Sequence, residues 1–112
     1  MKLSYNPKLV VSYLAEHGIP TPIFEHRFAE CIGRRWRFDL AWELSPTQKL
    51  ALEVQGGLFI PKGRHVFGAS LIKEHEKLNT AAAMGWRVLF CQPKDLLTQP
   101  TIIFIKKSLG LP

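Results

Sequence analysis

Apolar side chains recur along residues 8–17 at Leu9, Val10, Tyr13 and Leu14, the spacing of a helix with one buried face. Gly18 follows, where a left-handed residue commonly ends a helix. Pro20-Thr21-Pro22 forces an extended entry into Ile23-Phe24-Glu25-His26-Arg27-Phe28, which reads as a strand. Beyond Gly33 the period changes. Trp36, Phe38, Leu40 and Trp42 alternate with Arg35, Arg37, Asp39 and Ala41, predicting a half-buried strand with a polar face. A polar turn over residues 43–49, containing Pro46, leads into the strand Leu50-Ala51-Leu52-Glu53-Val54-Gln55. Residues 35–55 therefore read as a β-hairpin.

Gly56-Gly57 ends the hairpin, and residues 58–68 read as a long loop with Pro61, Gly63 and Gly68. Residues 69–84 return to a helical period, with Leu71, Leu78 and Ala82 on one side and Gly85 as the C-cap. Trp86-Arg87-Val88-Leu89-Phe90-Cys91 is a near-continuous apolar strand, of the kind buried on both faces. Residues 101–109 read as a last helix beginning at Pro100 and closed by Gly110; a strand from Ile102 to Ile105 is the other reading. The order is α-β-β-β-α-β-α. A helix between two strands implies a right-handed crossover, hence an α/β fold with a mixed sheet flanked by helices.

Length and composition narrow the class. The 112 residues suit one domain, and 46% apolar with 21% charged residues is ordinary for a globular protein. Fifteen Lys and Arg against nine Asp and Glu leave a net charge of +6, which favours anionic partners such as nucleic acid or an acidic membrane. Cys31 and Cys91 stand far apart with no Cys-x-x-Cys, so they form no zinc pattern and read as reduced thiols. Residues 1–7 carry no apolar core of a signal peptide, and no run approaches the roughly 20 apolar residues of a membrane span. A cytoplasmic protein without a membrane partner is expected.

Two acids inside otherwise well-formed strands are the sharpest chemical feature. Asp39 lies on the polar side of its strand, and Glu53 interrupts the apolar run of the next. A hairpin can set the two opposite each other, although the pattern alone does not fix the register. Opposed carboxylates repel unless a cation lies between them, and Mg²⁺ commonly takes only one or two carboxylates. The plainer reading of either acid alone is a solvated Asp, and a Glu paired with Arg35 or Arg37. Gln55 shares the face of Glu53 and is placed to bind or orient a water.

In order and spacing, Glu25-His26-Arg27-Phe28, Trp36-Arg37-Phe38-Asp39, Leu52-Glu53-Val54-Gln55-Gly56-Gly57, Gly63-Arg64-His65, Lys73-Glu74-His75-Glu76-Lys77-Leu78-Asn79 and Gly85-Trp86-Arg87-Val88-Leu89 resemble the PD-(D/E)XK nuclease superfamily. The likeness is to its small stand-alone phage and bacterial endonucleases, related to virus-type replication-repair nucleases and Holliday-junction resolvases. It implies a single nuclease-like domain over residues 1–112, with a three-layer α/β/α restriction-endonuclease-like core. The implied activity is endonucleolytic hydrolysis of DNA, duplex or branched, with Mg²⁺ or Mn²⁺ as cofactor and recognition mainly of backbone and shape. Asp39 and Glu53 would be the metal-binding acids and Glu25 a third ligand.

One position departs from the family's Glu-x-Lys pair, because Gln55 stands where the lysine belongs. Lys73 is the candidate substitute, with Lys77 one turn later; both point away from the face of Leu71, Leu78 and Ala82. Arg35, Arg37, Lys62, Arg64, His65 and Lys77 are the expected phosphate-binding groups. His75, in phase with Leu71 and Leu78, reads as a packed histidine. A homodimer stays open as a partner state. The alternative reading is a non-catalytic nucleic-acid-binding module on the same fold, which Gln55 favours.

Overall fold

The computed structural model describes residues 5–55 and 67–112, the side chains of 67–70 excepted. The first helix, α1 (Pro7–Glu16), starts where the sequence sets a cap: Asn6 Oδ1 accepts the Lys8 N–H at 3.0 Å, and Pro7 occupies the first turn. It leads to β1 (Ile23–Arg27), β2 (Arg37–Ser45) and β3 (Gln48–Val54). The second helix, α2 (Phe67–Ala83), crosses to β4 (Arg87–Cys91), and α3 (Gln99–Leu109) closes the fold. Short 3-10 turns at Glu30–Ile32 and Pro93–Asp95 link the pieces.

The sheet runs β1-β2-β3-β4, antiparallel across the first two pairings and parallel across the last. The protein is thus a mixed-sheet α/β fold of four strands and three helices among the described residues. Alternation along β3 assigns the helices to faces. Leu50 and Leu52 pack with Val10 and Leu14 of α1 and with Ile102, Ile105 and Leu109 of α3. Ala51, between them, packs with Ala81 of α2 and with Phe38 and Trp86. The start of the same strand ties down two helix ends. Gln48 Nε2 donates to the Leu109 carbonyl at 3.0 Å, and Lys49 Nζ donates to the Met84 carbonyl at 2.8 Å. Neighbouring residues on β3 point to opposite sides, so α3 and α2 are pinned from opposite faces.

Three expectations need correction. β2 is not half-buried with one polar face: Phe38, Leu40, Ala41 and Trp42 are all buried, because helices cover both sides. Its phase also slips, since Leu40 and Trp42 join the α1/α3 cluster while Phe38 joins the α2 cluster. The slip lies beside Glu25 of β1, whose φ of 52° is the left-handed region rather than extended strand. Among the described residues β4 is not covered on both sides; it stands at the edge of the sheet with Phe90 51% exposed. On α2 the inward face is not that of Leu71, Ala82 and His75, which are exposed; it carries Lys77, Leu78 and Ala81.

No helix among the described residues is long and apolar enough to cross a membrane. Cys31 is exposed and Cys91 half-buried, and neither is in a disulfide.

Candidate functional site

The β2–β3 ladder pairs Trp42 with Leu50 and ends at Leu40 with Leu52; the same register carried one step further sets Asp39 opposite Glu53. There the side chains take over from the backbone. Asp39 Oδ2 accepts the Val54 N–H at 2.7 Å, and Glu53 Oε1 accepts the Asp39 N–H at 3.2 Å. Each acid is therefore clamped by the other's strand, at the end of the sheet where β2 begins and β3 finishes. A carboxylate held this way keeps lone pairs for further partners, since each oxygen accepts more than one hydrogen bond.

Lys77 of α2 reaches this pair. Its Nζ lies 3.0 Å from Glu53 Oε2, with both side chains nearly buried, and it also sits 5.7 Å from the centre of the Phe38 ring. Lys77 is therefore turned toward the acids and not outward as a phosphate-gripping side chain, whereas Lys73 is exposed. The helical-wheel reading failed because it sought an apolar inner face, and this one carries a cation where it meets an anion. Burial pushes the Glu53 carboxyl above the ordinary carboxylate range; Lys77 pulls it down, and the charge of Asp39 adds to the rise.

Glu25 falls across from Asp39 on the other side, between the register pairs Phe24–Leu40 and His26–Phe38. Its carboxylate pairs with Arg37 at 3.0 Å. Among the described residues no group of three or more His, Cys, Asp or Glu is poised to hold a metal ion by itself. The left-handed backbone of Glu25 is a local strain placed beside the acid pair. Substitution by Gly therefore leaves the protein more stable than substitution by Ala, by about 1 kcal/mol. Urea denaturation of the two variants checks this; an Ala variant as stable as the Gly variant refutes the strain.

Tyr5 belongs to this region and was missed. Its hydroxyl is buried with no hydrogen-bond partner among the described residues, and its ring lies 6.2 Å from that of Phe24. Burial, then the charges of Asp39, Glu25 and Glu53, hold its phenol well above the ordinary range, so it stays protonated. It lies outside every periodic segment, so no pattern marked it.

The remaining expected groups divide. Gln55 is half-buried directly after β3, its N–H donating to the Cys91 carbonyl at 2.8 Å. Arg35 is exposed, and Arg37 is exposed while paired with Glu25. Arg34, part of the basic cluster around the Asp39 strand, pairs with Glu76 of α2 and lies 4.8 Å over the Trp36 ring. Lys62, Arg64 and His65 lie outside the described residues.

Comparison with protein-family models, with curated proteins and with solved structures found no match for this chain.

Proposed function

We propose that this protein is a divalent-metal-dependent nuclease of the restriction-endonuclease-like kind, acting on DNA through its backbone. The observation that carries the reading is the pair Asp39 and Glu53, opposed on adjacent strands and cross-clamped by backbone N–H groups, with Lys77 3.0 Å from Glu53. Two sheet faces covered by different helices are consistent with the three-layer arrangement that the sequence resemblance implies.

The donor set suits a hard cation, because both groups are carboxylates and Mg²⁺ or Mn²⁺ needs only one or two of them. Asp39 and Glu53 would hold it, and Glu25 would join on leaving Arg37. When bound, such an ion supplies Lewis acidity and lowers the pKa of water. The chain's own part is electrostatic. Lys77 offsets negative charge beside the phosphate, in place of the lysine that Gln55 displaces. Gln55 shares the phase of Glu53 and can orient a water, while exposed Arg35 and Arg37 grip neighbouring phosphates.

Incubation with plasmid, linear and branched DNA in Mg²⁺, Mn²⁺ or EDTA tests the reading. Cutting in metal and none in EDTA is the expected result. A second reading, a binding module without catalysis, is favoured by the Lys77 pairing, which occupies one Glu53 oxygen. DNA binding that is indifferent to metal, with no cutting, would establish it.

The raised Glu53 carboxyl gives a pH dependence with a definite sign. The fold favours protonated Glu53, so its contribution to stability is full below the unfolded value of about 4.3 and is lost as pH rises through the folded value. A bound cation requires the ionised form and opposes that loss. The rise in Tm produced by Mn²⁺ therefore grows with pH across a window above the ordinary carboxylate range, and cleavage gains across the same window. Thermal melts with and without Mn²⁺ measure it; a metal-induced shift independent of pH there contradicts the role of Glu53.

A further inference from the structure

The two edges of the sheet are built differently. β1 carries the left-handed Glu25 and the charged Arg27, an irregular edge of the sort that discourages pairing. β4 is regular, holds no Pro and carries its one charge, Arg87, at its first position, and among the described residues nothing pairs with its outer side. Beside it lies an open groove of about 320 Å³ whose walls include Leu52, Leu89, Phe90 and Phe104. Phe90 and Phe104, which both line this groove, are 51% and 60% exposed, an apolar concentration at one edge of a basic protein.

Hydrogen-bond alternation fixes what this edge can accept. The Cys91 carbonyl faces β3, where it receives the Gln55 N–H. Leu89 and Arg87 share that phase, so Val88 and Phe90 turn their N–H and C=O groups outward. An antiparallel strand pairing Phe90 with its own Val88 position, and Val88 with its Phe90 position, satisfies all four groups. A second β4 is such a strand: a two-fold axis through Leu89 makes both pairs at once. The same axis sets Arg87 against Cys91 of the other copy, and Asp95 lines an adjoining pocket together with Cys91. Each end then brings Arg87, which donates to the Ser108 carbonyl of its own α3, toward an anion of the other copy.

We infer that β4 is a self-association edge, on which a second copy of this chain adds antiparallel about Leu89 to form a continuous eight-stranded sheet. The occupant is a copy, not an unrelated strand, because backbone register, apolar side chains and end charges are all self-complementary under one axis. Short strands and two exposed apolar side chains fall below a standard interface of about 1,600 Å², so the dimer is weak and concentration-dependent. Two copies each carrying +6 repel, so added salt strengthens it.

Sedimentation equilibrium on the whole chain, together with oxidative cross-linking in a Cys31→Ser background, tests the inference. Leu89→Cys is expected to cross-link, since two facing residues at a non-hydrogen-bonded position approach to about 4.5 Å between Cα atoms. Phe90→Cys is expected not to, because its counterpart lies two positions along. Phe104→Lys, at an exposed helix position that leaves folding intact by circular dichroism, should raise the dimer Kd at least about tenfold. A chain that is monomeric at every concentration and salt overturns the proposal. So does a dimer unaffected by Phe104→Lys, or one that cross-links through Phe90→Cys and not Leu89→Cys.

Discussion

On the proposed nuclease reading, Asp39→Asn is expected to abolish metal-stimulated DNA cleavage, lowering the single-turnover rate roughly a thousandfold or more while leaving the protein folded. The two halves of that expectation come from different contacts. Asn retains an oxygen that accepts the Val54 N–H, a bond of 2.7 Å in the native protein, so the β2–β3 junction survives. What disappears is the negative charge beside Glu53. Metal-assisted stabilisation of transition-state charge is worth several kcal/mol, and each 1.36 kcal/mol is tenfold in rate. Metal-free DNA binding should stay equal or tighten slightly, because one repulsive charge beside the phosphates is gone. Glu53→Gln should lose cleavage to the same extent, but it also sets an amide donor against Lys77 and costs stability. Asp39→Asn is therefore the cleaner probe. Wild-type cutting by this variant would place the chemistry elsewhere on the surface.

Much of this arrangement could be read from residue types. Asn6, Pro7, Gly18 and Gly110 mark the ends of α1 and α3, because capping chemistry is local and a left-handed glycine is hard to replace. The acids were legible for a similar reason: a charge inside an apolar strand stands out from its alternation. Their register was not, since the hairpin turn leaves room for slippage; the pairing of Leu40 with Leu52 settles it.

Other features depend on what lies across the fold, and periodicity does not carry that. Val88 to Cys91 is as apolar as a central strand, yet it stands at an edge, since composition reports burial and not which neighbour provides it. The phase slip between Leu40 and Phe38 sits next to a left-handed glutamate on the adjoining strand, and Glu25 is not a residue type that signals such backbone. Tyr5 precedes the first helix and belongs to no repeat. It joins the site only because its ring lies against that of Phe24.

Lys77→Met should cost about 2–4 kcal/mol of stability at alkaline pH and lower cleavage about a hundredfold, whereas Lys73→Met should change either by little. Lys73 is exposed, and surface substitutions stay within about 0.5 kcal/mol. Lys77 is not in that position: removing it strands Glu53, 6% exposed, without its cation. The stranded acid escapes by protonating, which fixes the sign of the pH dependence. Loss of Lys77 lifts the Glu53 carboxyl further, so the gap in stability between variant and wild type closes on acidification and widens as pH rises. A generic packing defect would leave that gap constant. Adding Glu53→Gln to Lys77→Met removes the stranded charge, and the double-mutant cycle should return a coupling of about 1–3 kcal/mol. Denaturation of the four proteins at two pH values reads the ion pair, and cleavage by the Lys73 and Lys77 variants reads its function. Equal losses of cleavage in both would mean that proximity to Glu53 is not what makes a lysine useful here. A selective loss at Lys77 would assign it the charge-offsetting role left vacant by Gln55.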